Sequence, residues 1–524
     1  MLIDLTVSSA FSNDPNATVI VGAGPVGIYL AYCLSQSGVP VVIIEAGGQV
    51  VDSTRNQVAT NSIGLEFEGH LFGRAFGLGG TSVIWGGQLV EFDAPDFSQW
   101  PISFGEVSSW YKKVYSDLSV QPDNIDIYRK RLGGEAFDLQ PIERFFTHWL
   151  PQQNFARLFR KQVTDGALTQ ILLNGTVNGI SFEGERASAV KVRTTNGRDL
   201  AVSGRRFIFC NGTLEISRFF LSMARTSDVP WKQNSLIGKF FQDHPCGKAA
   251  TAEVIDEQKF RNFFETAFTN GAIKLQSKLR FRNGNRKDGD LGVSGFFSFR
   301  SDVQDQLGNI KWLIRSLRSG AQFSTLSSLP KDAWALLRTF VPMMVRFVRD
   351  RRVMAFFDRS IDFMIQCEQR PIQRSRICLG NEKHPNIPGL FSIDIDWRVD
   401  EQEIIETVNR FTREADLYLQ KHGLARLDID ARVRSNDVSF LETMSDFYHQ
   451  AGGMCMSDSP NSGVVDPDCR VWGTSNVYVA GAAVFPSSSH ANTTFTALAL
   501  AARLSSTLQK LDTAIVAPLH AETI

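Results

Sequence analysis

His449 and Asn492 are the side chains in this sequence best suited to moving a proton. They stand in FYHQAGG and HANTTFT, on either side of a strand-turn-helix unit read from NVYVAGAAVFP and ALALAARL. A neutral imidazole accepts a proton near pH 7, and an amide beside it can orient the oxygen that gives the proton up. Removing a hydroxyl proton makes an alkoxide, which expels hydride from its carbon far more readily than the neutral alcohol does. Such chemistry needs a hydride acceptor.

The N-terminal stretch has a place for one. Val19 to Val21 read as a short buried strand, followed by the turn Gly22-Ala23-Gly24-Pro25-Val26-Gly27, an apolar-faced helix, and a second apolar run, Val41 to Ile44, ending at Glu45. Gly22 permits the tight turn, Gly24 the approach of a pyrophosphate, and Gly27 close helix packing; the helix N-terminus favours the anion and Glu45 the ribose hydroxyls. That fingerprint fits NAD or FAD equally. A second glycine cluster, Gly77-Leu78-Gly79-Gly80-Thr81-Ser82-Val83-Ile84-Trp85-Gly86-Gly87, suits a cofactor with a large second half and favours flavin. No further strand-GxGxxG-helix unit follows, so no separate NAD(P)H site is expected and reduced flavin must pass its electrons elsewhere.

With these motifs in hand, the chain resembles the glucose-methanol-choline (GMC) oxidoreductases from end to end. The resemblance is carried by VIVGAGPVG with Glu45, GLGGTSVIWGG, NGTV followed by RRFIFCNGTLEISRFFL, SLIGKFFQDHP, YHQAGG, GVVDPDCRV, NVYVAGAAVFP and HANTTFT. Within the family it is most similar to bacterial members related to pyranose oxidase and the glycoside dehydrogenases. The fold so implied is α/β, a Rossmann-like FAD-binding domain with a discontinuous substrate domain of antiparallel sheet and helices. FAD is expected against Gly22, Gly24, Pro25, Gly27, Glu45, Ala46, Gly79, Gly80, Thr81, Ser82, Trp85, Gly86, Thr176, Val177, Gly481, Ala482, Asn492, Thr493 and Thr494.

Covalent members of the family carry a flavin-linked histidine where this chain has Ile84, so the FAD is expected to be noncovalent. The implied reaction is oxidation of an alcohol, in a sugar or glycoside, with His449 as base, Asn492 as its partner and hydride passing to the flavin. Asn492 is favoured by counting back from the last helix; His490 and Tyr448 are candidate substrate contacts, and His244 takes a structural role. An alcohol on a natural-product scaffold, a redox-neutral flavin lyase and a non-catalytic flavoprotein are the alternatives. The acceptor is left open between oxygen, a quinone and a redox protein, and the oligomeric state is left open too.

Elements to position these residues follow from the same motifs. The FAD-binding domain is expected at 1–106, 161–245 and 440–524, and the substrate domain at 107–160 and 246–439. SRICLG and LFSIDIDWRV read as antiparallel strands, and EQEIIETVNRFTREADLYLQKHG as an amphipathic helix ended by Gly423. Lys+Arg and Asp+Glu both number 55, so no global field draws nucleic acid. Seven scattered cysteines without a CxxC pair indicate neither a disulfide framework nor a metal site. With a poor secretory signal and no bilayer-length apolar run, a cytoplasmic location is expected. Residues 311–359 hold ten basic and three acidic residues among aromatics. They read as a solvated helical insertion, or as a contact for a membrane or an acidic partner.

Overall fold

Strand Thr18–Val21 is buried at every position, as expected of a central strand roofed on both faces. It lies in a parallel six-stranded sheet whose strands run in the order Leu2–Asp4, Thr169–Leu173, Val41–Ile44, Thr18–Val21, Arg206–Phe209, Val477–Val479. The registers align the ends that matter: Val21 lies opposite Ile44 and Phe209, and Phe209 opposite Val479. The loops leaving those carboxyl ends therefore share one edge, where parallel α/β sheets bind ligands. The computed structural model describes residues 1–8, 10–120, 141–269, 273–282, 290–301, 333–357 and 359–516.

A second layer is antiparallel. Its eight-stranded sheet runs from Ala425–Ile429 through Cys246–Val254, Ser360–Cys367, Val293–Arg300, Lys274–Phe281 and Ile142–Trp149 to Gln88–Leu89, with Ala267–Phe268 paired off this path. One face is covered by helix Glu401–Lys421, whose Ile404, Ile405, Val408 and Phe411 are buried and whose N-cap Asp400 accepts from the Glu403 N–H. The helix stops before Gly423, at φ +61°. The other face of the sheet closes over the carboxyl edge of the parallel sheet, and each layer has its own apolar core.

One expectation is corrected. The boundary at 106/107 falls inside helix Phe104–Asp117, which packs on the C-terminal helix Thr493–Val516 through Tyr111 and Phe495, with the Tyr111 and Thr496 hydroxyls 2.7 Å apart. That helix thus belongs with the parallel sheet, and only Ile142–Trp149 of the expected 107–160 segment enters the antiparallel one. Strands Arg376–Lys383 and Phe391–Trp397 pair antiparallel, as expected, in a separate three-stranded sheet with Thr60–Gly64.

Of the segment 311–359, for which a contact is expected, residues 311–332 and 358 lie outside the described residues, and the described part begins with helix Ala333–Asp350. There, Arg346 reaches Glu265 at 2.8 Å and Asp350 at 2.7 Å, and buried Arg352 donates to backbone carbonyls of 261 and 262. These two cations serve the fold, not a docking face. Among the described residues no helix is long and apolar enough to cross a membrane.

Candidate active site

Asp243 builds the site from the backbone. Its Oδ1 accepts from the N–H groups of His244 at 2.7 Å, His449 at 2.9 Å and Phe447 at 3.2 Å. Holding the N–H groups of 447 and 449 on one oxygen pinches that segment into a tight turn, with Tyr448 at φ +62° between them. A backbone bridge between Gln242 and Ala451, 2.9 Å in both directions, ties the two segments together. Burial, with Asp446 nearby, pushes the Asp243 carboxyl well above its usual range.

The imidazoles of His244 and His449 then meet Nδ1 to Nδ1 at 2.8 Å. Their tautomers follow from their neighbours. The Ser488 carbonyl, 3.3 Å from His244 Nε2, can only accept, so Nε2 carries the proton. His244 Nδ1 is therefore the acceptor, shared between Gln366 Nε2–H at 3.0 Å and His449 Nδ1–H. A neutral His449 protonated on Nδ1 has its lone pair on Nε2, which accepts from Asn492 Nδ2 at 2.7 Å. Burial, then His244 and Lys278, lowers His449 well below 6.5, and burial takes His244 to about 4, so both rings are neutral at pH 7.

Asn492 immediately precedes helix Thr493–Val516, whose first residues face the same cavity. That cavity, about 650 Å³, runs from the glycine turn to the antiparallel sheet, where Trp149, Gln276, Lys278 and Phe296 form its far wall. Gly22, Gly24, Pro25, Glu45, Ala46, Gly80, Thr81, Trp85, Gly86, Thr176, Val177, Gly481, Ala482, Thr493 and Thr494 all line it.

The cavity walls fit FAD. A Cβ at Gly24 or Gly481 would meet nothing within 4 Å, and helix Pro25–Ser35 has no side-chain cap on its N-terminus, leaving its N–H groups to an anion. Asn211 Oδ1 and Asn492 Oδ1, buried at the cavity wall, lack hydrogen-bond partners among the described residues.

Several expected residues work differently. Gly27 is not on the wall; a Cβ there would lie 2.1 Å from the Gly22 carbonyl oxygen, so its lack of a side chain is needed for packing. Gly79, at φ +101°, and Ser82, whose hydroxyl donates to Gly79 O at 2.5 Å and accepts from Phe155 N–H at 3.1 Å, shape the second glycine loop from behind. Glu45 accepts from the N–H groups of Ala23 at 2.8 Å and of Gly47 and Gly77 at 2.9 Å. It joins the two glycine loops, with one of about four acceptor directions left for a ribose hydroxyl.

Tyr448 lines the cavity with its hydroxyl 3.4 Å from Glu68. His490 does not: it is buried against Phe145, and its carbonyl accepts from Gln366 at 2.8 Å. Sequence reasoning missed the roles of Asp243, Gln366 and Lys278. Asp243 had a signal in the QDHP motif; the other two occupy strand positions indistinguishable from solvent-facing ones.

Residues 16–63 match a family model described as FAD binding domain, and residues 371–501 one described as GMC oxidoreductase. No curated protein matches the chain. Among solved structures it is similar to pyridoxine 4-oxidase from Mesorbium loti, at 14% identity and TM-score 0.58, over 94% of this chain and 99% of that one. It is also similar to an FAD-dependent oxidoreductase from Chaetomium thermophilum, at 16% identity and TM-score 0.58, over 95% and 100%. At these identities the likeness is one of fold.

Proposed function

We propose that this chain, a flavoprotein of the GMC oxidoreductase family with FAD as its cofactor, oxidises the CH–OH group of an alcohol to a carbonyl, with His449 as the base. The observation that carries the reading is the hydrogen-bond chain from the Ser488 carbonyl through His244, which leaves the lone pair of His449 Nε2 facing Asn492. A substrate hydroxyl replaces the contact between these two side chains. Its proton goes to Nε2, while Asn492 Nδ2 donates to the oxygen and keeps it over the imidazole. FAD, when bound, supplies the two-electron acceptor that takes the hydride.

His449 becomes cationic as it takes the proton. Were His244 to take the Nδ1 proton of His449, its own Nδ1–H would face Gln366 Nε2–H, donor against donor, so the acquired proton stays on Nε2 until product leaves. Positioned bases of this kind contribute about 10²–10⁴-fold.

The donor is a polyol, a sugar or glycoside hydroxyl, on the resemblance to sugar-oxidising members of the family. Several hydrogen bonds can orient one carbon of such a substrate, and a short alcohol lacks those anchors. Oxygen, a quinone or a redox protein re-oxidises the cofactor. Ile84, which lines the cavity, supports a noncovalent FAD because an isoleucine cannot bond to it.

The test is anaerobic mixing with sugars, glycosides and simple alcohols while flavin absorbance is followed. Polyols should bleach the flavin at the lowest concentrations. If only hydrophobic alcohols do so, the polyol reading fails; turnover of a substrate without any bleaching would instead indicate a redox-neutral lyase.

A further inference from the structure

Lys278 lies in strand Lys274–Phe281, where alternation places Leu275, Ser277 and Leu279 on one face and Gln276 and Lys278 on the other. The second face looks into the cavity, so Lys278 is only 4% exposed and lines the wall opposite His449. Its Nζ lies 4.6 Å from the centre of the Phe296 ring. Among the described residues Nζ has neither a hydrogen bond nor a salt bridge, although 26 other ion pairs are present.

An ammonium buried without an anion is costly, and buried charges are normally paired. The titratable groups facing it are Cys246, His244 and His449. None supplies the anion: burial pushes the Cys246 thiol up to about 12, and both imidazoles are neutral. Lys278 is also close enough for its charge to help lower His449, so the lysine and the base share one chamber.

We propose that Lys278 recognises a carboxylate on the alcohol substrate, so that the donor is a hydroxy acid, and within the polyol reading a polyhydroxy acid. The assignment rests on the reading of this cavity as an alcohol-oxidising site. The carboxylate supplies the missing counter-charge and anchors one end of the substrate at the antiparallel sheet, while the hydroxyl is presented to His449 Nε2. Phe296 and Phe447, 6.2 Å apart, provide apolar walls that strengthen the pairing by keeping water from it. Burial draws the Lys278 ammonium down to about 8, so an acid substrate should be captured less well as pH rises past that value.

Matched pairs test it: gluconate against glucitol, and glucuronate against glucose, in anaerobic flavin reduction by the wild type, Lys278→Met and Lys278→Arg. In the wild type the acid of a pair should reduce the flavin at roughly ten- to hundredfold lower concentration. Lys278→Met should abolish that preference, read as the acid-to-neutral ratio within each protein, and Lys278→Arg should restore part of it. The kcat/KM of the acid should fall above about pH 8 in the wild type only.

In parallel, benzoate and acetate titrated into the oxidised protein should perturb flavin absorbance in the wild type and not in Lys278→Met. Equal reduction by both members with no effect of Lys278→Met overturns the inference and leaves alcohol oxidation standing. A Lys278→Met protein with altered flavin absorbance and sulfite affinity before any substrate is added also overturns it, by assigning the ammonium to the cofactor. Because carboxylate binding is read without turnover, it decides the role of Lys278 even if no alcohol reduces the flavin, the result that would sink the functional reading instead.

Discussion

At the scale of single residues, the base is set by who donates to whom. His449→Ala removes the proton acceptor but no wall of the nucleotide cradle. It should keep bound FAD and slow anaerobic flavin reduction by about two to four orders of magnitude, measured by stopped-flow absorbance. His244→Ala leaves Nε2 of His449 in place yet frees the ring to take either tautomer. A smaller loss, of roughly tenfold, is expected with a pH profile shifted from that of the wild type. His490→Ala should matter less than either, since its ring is turned toward Phe145 and away from the cavity. With His449 held well below 6.5, the acid limb of kcat/KM should also lie below that pH. An acid limb near 7 would mean that another group is the base.

At the scale of elements, two glycines of one turn do different work. Gly24 faces open space, so Gly24→Ala should fold and lose FAD affinity by tenfold or more, read as cofactor released on gel filtration. Gly27→Ala forces a methyl against a carbonyl at 2.1 Å, and a melting experiment should show a loss of about 1–3 kcal/mol from overpacking. The second glycine loop carries Ile84, so acid precipitation should leave yellow FAD in the supernatant; flavin retained in the washed pellet would rule out a noncovalent cofactor. The helix Ala333–Asp350 answers a different question. Glu265 has a fully buried side chain that pairs with both Arg346 and Arg261, so Arg346→Ala should lower stability by about 3 kcal/mol, whatever it does to acceptor binding.

At the scale of the whole molecule, closing one sheet over the other buries neutral His244, half-buries neutral His449 and links folding to pH. Both titrate lower in the folded state than in the unfolded chain, which therefore binds more protons once pH drops below 6.5. Stability present above that pH is lost as pH falls toward 4; for His244 alone the loss is on the order of 3 kcal/mol. The thermal midpoint should fall more steeply between pH 7 and 5 in the wild type than in His244→Gln. Parallel slopes would show that His244 does not titrate with unfolding.

The sequence by itself determined what depends on neighbours along the chain. The turn Gly22 to Gly27, the buried strands beside it and helix Glu401–Lys421 with its end at Gly423 are all local patterns, because helix period, strand alternation and glycine turns are set within a few residues. His449 and Asn492 were legible as a pair through their motifs. The fold class followed from the same motifs and their order.

Only the tertiary structure decided the rest. Nothing along the chain says that the Gln276 and Lys278 face of strand Lys274–Phe281 is roofed by the carboxyl edge of the parallel sheet; Lys278 becomes a buried cation through that long-range closure alone. Helix Phe104–Asp117 likewise joined the parallel layer because its partner is Thr493–Val516, nearly four hundred residues away along the chain. The His449 tautomer needed a carbonyl at 488, a ring at 244 and an amide at 366 to meet, which are contacts of packing and not of spacing.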